Sequence, residues 1–207
     1  TLLDLKLAFN EELKLIGMLF VPHQVFDLDL VGNDHFYEEA ITVGKGSDFE
    51  LPGILTLPKN KKNVPAIVLV HGSGPNDMDE TYGPNKLFRD LAHQLAANGI
   101  AVLRYAKRTK TYGGSNKLNM NEGTLLEETI EDAIKATDLA AKHKKIDKKN
   151  VFVLGHSLGG MSAPRIGTLS DRAKGSIILA GNARPLQDLV LEQFEYLFGL
   201  DGTVTPE

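Results

Sequence analysis

Val151-Phe152-Val153-Leu154-Gly155-His156-Ser157-Leu158-Gly159-Gly160 is the stretch that decides the fold. Its first four residues form an apolar run short enough for a strand covered on both faces. A helical stretch, Leu158–Leu169, begins immediately after it. Between the two lies Gly-x-Ser-x-Gly, the pattern of a sharp strand-to-helix turn that lifts a serine hydroxyl above the edge of a sheet. The flanking glycines remove the Cβ atoms that would collide where strand and helix close on each other. Ser157 then stands at a helix N-terminus, where free amides and the helix dipole favour developing negative charge. The competing reading is a glycine-rich β–α turn with only a geometric purpose. The strand before the motif, the helix after it and its place in the element order favour a nucleophile.

Working outward, the same rhythm repeats. Val64–Val70 is a continuous apolar run. Asn85–Asn98 carries Leu87, Phe88, Leu91 and Leu95 at helical spacing, with Gly99 where a C′ glycine belongs. Ile100–Tyr105 reads as the next buried strand, and Ala106–Gly123 as a long polar loop. Thr124 opens a helix reaching Ala141, with Glu127 completing a capping box. Ser176–Ala180 reads as a further strand, and Pro185–Leu200 as an amphipathic helix with a broad apolar face. Strands alternating with helices predict an α/β fold with a doubly wound, mostly parallel sheet.

The N-terminal part has a different period. Residues 2–9 and 13–20 alternate apolar and polar, which predicts a β-hairpin turning at Asn10-Glu11-Glu12. A lone hairpin is marginal in water, so it should belong to something larger. The expected organisation is therefore a hairpin remnant of a small domain at 1–22, a linker at 23–37, and the main domain from 38 to 207. A second hairpin is expected at Glu38–Val43 and Phe49–Leu57. Pro52, lacking an N–H, should push its second strand to a sheet edge.

Stabilising an oxyanion takes two aimed N–H donors. The residue after the nucleophile, Leu158, supplies one. The loop His71-Gly72-Ser73-Gly74-Pro75, directly after the first buried strand, is placed to supply the other from Ser73, with Gly74 as substitute. Asp77, Asp79 and Glu80 follow closely. They could bind a substrate amine or a hard cation, but a hydrogen-bonded loop is the simpler reading. Arg104 and Arg108 read as partners of structural ion pairs. His71 reads as a loop-orienting group, and His156, inside the turn itself, as a structural neighbour.

Composition narrows the classes. The net charge of −4 leaves no basic excess for nucleic acid, and the one basic stretch, Lys142–Lys149, reads as a solvated helix end. With no cysteine in 207 residues, disulfides and thiolate chemistry are excluded. No apolar run is long enough to span a membrane as a helix. No metal or organic cofactor is expected. The chain opens on Thr1 without a signal-peptide pattern, and neither compartment nor oligomeric state is legible.

Val70-His71-Gly72-Ser73-Gly74-Pro75-Asn76-Asp77, Asp79-Glu80, Gly83-Pro84-Asn85-Lys86, Phe88-Arg89-Asp90-Leu91 and Gly99-Ile100-Ala101-Val102-Leu103-Arg104-Tyr105 together resemble a group of bacterial α/β-hydrolases related to esterases and to serine aminopeptidases of the prolyl-oligopeptidase type. The resemblance covers about residues 38–207. It departs from the group's pattern at Ala106, where Arg-Tyr-Asp-Lys-Arg has its aspartate, and at Met78, where arginine is frequent. The first hairpin is similar to the end of a small domain of unknown function that often precedes such enzymes. The resemblance implies an α/β-hydrolase fold and hydrolysis of a small ester or acyl substrate through an acyl-enzyme on Ser157, with peptidase or thioesterase activity as the alternative. A non-catalytic binding protein of the same fold is the rival from another class. It also implies the order serine, acid, histidine. All six histidines precede Ser157, and Asp171, Asp188 and Asp201 suit no late-strand loop. The expectation is that the acid and histidine lie beyond Glu207, that residues 1–207 alone are nearly inactive, and that 183–207 either begins a cap or is an ordinary core helix of the fold.

Overall fold

The computed structural model describes residues 3–22, 28–113, 115 and 124–199. Parts of the expected linker (23–27), of the long loop (114 and 116–123) and of the expected cap segment (200–207) lie outside the described residues.

Strands β1 (Leu3–Phe9) and β2 (Leu15–Pro22) form the first hairpin, with Leu5 opposite Phe20. The Asn10 side chain makes its turn by accepting the Glu12 and Lys14 amides. Strands β3 (Phe36–Val43) and β4 (Leu51–Pro58) form the second. Strand β3 begins two residues earlier than its alternation suggests, because Gly32 bridges Tyr37 and Asn33 takes the Phe36 amide. Then come β5 (Val64–Val70), the short pair β6 (Thr81–Tyr82) and β7 (Asn85–Lys86), α1 (Leu87–Ala97), β8 (Ala101–Tyr105) and α2 (Arg108–Tyr112). A π-wound turn (Leu126–Ile130) leads into α3 (Glu131–Lys142), followed by β9 (Ile146–His156), α4 (Leu158–Leu169), β10 (Ala173–Leu179) and α5 (Leu186–Gly199).

Six strands make one sheet in the order β10-β9-β5-β8-β4-β3. The first four run parallel, and β4 and β3 are added antiparallel. The alternation inside the parallel strands explains why they read as unbroken apolar runs. Ile67, Leu69, Val102 and Leu154 pack against Phe88 and Ala92 of α1. Val70 and Val153 face the other way, onto α3 and α4 through Ala133, Ala163 and Ile166. Helices on both faces leave β5 and the 151–154 part of β9 no polar side.

Two expectations need correction. Strand β4 is not an edge strand: it lies between β3 and β8. Pro52 is tolerated because the β4–β8 ladder starts only at Gly53, opposite Tyr105, and the Pro52 carbonyl still accepts the Ala106 amide. The stretch after Tyr105 is not all loop, since α2 forms there. Its Arg108 makes a two-pronged bond to Asp132 of α3 at 2.9 and 2.7 Å, a pairing across 24 residues that no local pattern announces. Other signals act as their chemistry predicts. Gly99, at φ 96°, ends α1 in a Schellman motif, the Ile100 amide reaching Leu95 and the Gly99 amide reaching Ala96. Glu127 accepts the Thr124 amide at 2.9 Å, while the Thr124 hydroxyl accepts from Leu126 as the turn winds wider than an α-helix.

A buried ionic cluster ties the antiparallel and parallel halves. Arg104 of β8 donates to Glu38 of β3 at 3.0 Å, to Thr56 of β4 at 2.8 Å and to Asp79 at 2.9 Å. Burial raises the Glu38 pKa, but the Val31 amide and the Arg104 charge outweigh it and hold the carboxyl below its ordinary value. Such a cluster adds little net stability, because desolvation offsets most of the attraction.

Candidate active site

Ser157 joins β9 to α4 with φ 53° and ψ −114°, a left-handed conformation that a serine adopts at a cost of about 1–3 kcal/mol. The surroundings leave it no choice. Its amide donates to Leu179 of β10 at 2.9 Å, and its carbonyl accepts Met161 of the first helical turn at 2.9 Å. A Cβ on Gly155 would stand 2.0 Å from the Gly159 carbonyl oxygen, and one on Gly159 would stand 2.2 Å from that of Val70 and 2.6 Å from that of His71. Both positions therefore admit only glycine. The first amides of α4, Leu158 among them, have no carbonyl partner within the helix.

The loop after β5 lies against this turn. A Cβ on Gly72 would come within 3.3 Å of Ser157 Cβ. The Gly72 amide donates to Glu80 Oε1 at 2.6 Å, so it is already engaged, and Ser73 carries the next amide along the loop. Gly74, at φ 91°, turns the chain away. Asn76 Nδ2 donates to the carbonyls of Gly72 at 3.1 Å, Ser73 at 3.0 Å and Gly74 at 3.4 Å. Lys107 Nζ also donates to the Gly72 carbonyl, at 2.9 Å, and lies 3.0 Å from Glu128 Oε1. Ser157, Leu158 and the Ser73–Gly74 segment, far apart in sequence, thus share one corner of the sheet.

The acidic cluster is structural. Asp77 accepts the amides of Asp79 and Thr81, Asp79 pairs with Lys86 and Arg104, and Glu80 holds Gly72. Glu80 Oε2 also lies 3.0 Å from His156 Nδ1, close in distance but not aligned as a hydrogen bond. Among the described residues no three His, Asp or Glu side chains are grouped to hold a metal ion. His71 is 1% exposed, between the rings of Phe88 and Tyr105. Burial first, and then the Lys107 charge, lower its pKa to about 3. It stays neutral, packed behind the loop.

Two recesses flank the loop. The larger, about 400 Å³, is lined by Arg104, Asp79, Lys86 and His93 with Val31 and Met78, and belongs to the ionic cluster. The smaller, about 250 Å³ and open, is bounded by Gly74, Pro75, Thr109, Gly113 and Glu128, and so abuts the loop facing Ser157. Of the three groups the chemistry needs, Ser157, Leu158 and Ser73, neither recess is lined by any; the smaller reaches only the neighbouring Gly74. Sequence reading missed Lys107 altogether and placed Glu80 only in a charge cluster. Neither has a local signal, since their partners in the site are 35 and 8 residues away. Among the described residues no helix is long and apolar enough to cross a membrane.

Residues 67–205 match the family model described as the alpha/beta hydrolase family. The chain is 42% identical over 196 residues to Esterase EstD of Thermotoga maritima, covering 93% of this chain and 45% of that protein. It therefore spans less than half the length of this curated relative. Among solved structures, a hyperthermophilic esterase from Pyrobaculum calidifontis superposes with a TM-score of 0.54 at 19% identity, over 77% of this chain and 52% of that one. An acylaminoacyl peptidase superposes with a TM-score of 0.52 at 25% identity, over 72% of this chain and 24% of the other.

Proposed function

The chain belongs to the alpha/beta hydrolase family, and from that premise we propose that it is the part of a serine ester hydrolase that carries the nucleophile and the oxyanion donors. Ser157 Oγ attacks the acyl carbon of a small ester. The carbonyl oxygen becomes an oxyanion held by the amides of Leu158 and Ser73, with Gly74 the substitute for Ser73. The alcohol leaves with the proton taken from Ser157, and water then releases the acid from the acyl-enzyme. No metal or organic cofactor enters these steps. The observation that carries the reading is the strained Ser157 at the head of α4, with Gly72 packed on its Cβ position.

The base is the absent partner. Among the described residues no histidine bonds Ser157, and in the family's order the acid and histidine follow the serine. We place both in residues outside 1–207. These 207 residues alone then turn over substrate at a small fraction of the complete enzyme's rate, since an unassisted serine is a weak nucleophile. The same reading makes 1–22 the remnant of a small N-terminal domain, 23–37 a linker, 38–207 the first part of the hydrolase domain, and 183–207 the start of a cap. The 42% identical relative is named an esterase, which supports ester over amide. The amine-binding carboxylates that a peptidase would use are engaged with loop amides, Lys86 and Arg104.

The test uses protein expressed from its complete reading frame. A fluorophosphonate probe should label it, Ser157→Ala should abolish labelling, and ester hydrolysis should fall at least about 10³-fold. In a panel of esters, thioesters and aminoacyl amides, esters should turn over fastest. A folded protein that neither reacts nor hydrolyses is a binding protein with a hydrolase fold, and the proposal fails.

A further inference from the structure

We infer that Lys107 is a positioning residue that aims the Ser73 amide at the oxyanion, an inference that rests on the proposed role of Ser157. The Gly72 carbonyl and the Ser73 N–H belong to one peptide plane and point in opposite directions across it. Whatever grips the oxygen therefore sets the direction of the hydrogen. Two donors grip it: Lys107 Nζ at 2.9 Å and Asn76 Nδ2 at 3.1 Å. On the other side of the Gly72 Cα, Glu80 Oε1 grips the amide at 2.6 Å. Both peptides flanking the residue that lies on Ser157 are thus fixed, one by a cation and one by an anion.

Lys107 is an unusual choice for a mere tether. Its side chain is 2% exposed, and an ammonium taken out of water is costly unless it is well paired. Its counter-ion, Glu128, sits in the π-wound turn Leu126–Ile130, where the widened helix sets the carboxylate 3.0 Å from Nζ. The Lys107 amide also donates to the Asn76 carbonyl at 3.1 Å, so main chain and side chain hold the same loop from one residue. A charge on the carbonyl oxygen does more than orient the plane. It polarises the peptide and makes the Ser73 N–H a stronger donor, and it places positive potential near the charge that develops in the transition state. Lysine is suited to this as a compact point charge. It touches no substrate, and acts only through the Gly72–Ser73 peptide.

The experiment uses protein from the complete reading frame and Lys107→Met, which preserves length and removes charge. Active sites are counted by fluorophosphonate titration, so that misfolded protein does not enter the rate. Per active site, kcat for an activated ester should fall about 10- to 100-fold, below the loss seen when an oxyanion donor is removed outright. KM should stay within about twofold. Affinity for a trifluoromethyl ketone, which becomes tetrahedral on the serine, should fall by the same factor as kcat/KM. A purely structural lysine would lower the melting temperature and the active fraction but leave the per-site kcat and the ketone affinity unchanged, and that result overturns the inference. If Lys107→Met does not fold, Lys107→Gln, which removes the charge but keeps a polar end, is measured the same way. It should lower kcat at least about threefold at constant KM, and an unchanged per-site kcat overturns the inference equally. Should Ser157→Ala retain activity, the nucleophile assignment fails instead, separately from Lys107.

Discussion

The turn at Ser157 and the far edge of the same sheet are adjacent, yet they are opposite in how they are held. At the turn, Gly155, Gly159 and Gly72 touch backbone or side-chain atoms at distances that leave no room for a methyl group to settle freely, and Val68, Leu69 and Val70 behind them are fully buried. At the edge, β10 pairs, among the described residues, only with β9, and Ile177 and Ile178 are exposed. Helix α5 has no buried residue: Phe194 is 50% exposed and Phe198 65%, stacked on each other at 5.7 Å. The two regions meet where Leu179 of β10 accepts the Ser157 amide. The contrast teaches that an apolar pattern makes a helix or strand locally, whereas rigidity at a reactive group needs neighbours on every side.

The largest effect that could break this contrast is expected at the turn. Gly159→Ala would push a methyl group into the carbonyls of Val70 and His71, where only backbone can yield. It should destabilise the protein by about 4 kcal/mol or more and abolish probe labelling. Urea unfolding of the variant beside the parent checks this, and a loss under 1 kcal/mol would mean the turn is far less constrained than its geometry implies.

A pH series sharpens the comparison at intermediate scale. His71 titrates near 6.5 when unfolded and at about 3 when folded. Its folded pKa is lowered, so its contribution to stability is complete above 6.5 and is lost as pH falls toward 3, the unfolded chain binding the extra proton. The slope is about 1.4 kcal/mol per pH unit for one proton. Between pH 4.5 and 6.5, above the ordinary value of Glu38, stability should fall more steeply with falling pH in the parent than in His71→Phe. Equal slopes would show that the histidine is hydrated when folded.

The smallest effect belongs to the edge. Phe194→Ser and Leu191→Gln lie on the uncovered face of α5 and should change the stability of residues 1–207 by less than about 0.5 kcal/mol. A loss of 2 kcal/mol from either would mean that the face is covered in solution, and would erase the contrast from which the comparison starts.

Much of this molecule was legible in one dimension because its signals are local. The span Leu158–Leu169 was read residue for residue, since a glycine turn starts that helix and its own periodicity carries it. Gly99 announced the end of α1 for the same reason, needing only a left-handed residue one step past the last turn. Pro52 misled, because a missing N–H weakens a strand only where a ladder would need it, and where the ladder begins is a property of the neighbouring strand. Helix α2 was missed because its anchor, Arg108 on Asp132, lies outside any local window.

By itself, then, the sequence determined the period of the parallel strands and of the longer helices, the glycine turn and the serine at its apex. Those depend on backbone dihedrals and on side chains within about one turn of each other. Only the tertiary structure decided which charges meet. Glu80 on Gly72, Lys107 on the Gly72 carbonyl, and Arg104 between Glu38 and Asp79 join groups up to 66 residues apart. The strand order sets those meetings, and the energy that selects an order is summed over the whole core rather than written in any one segment.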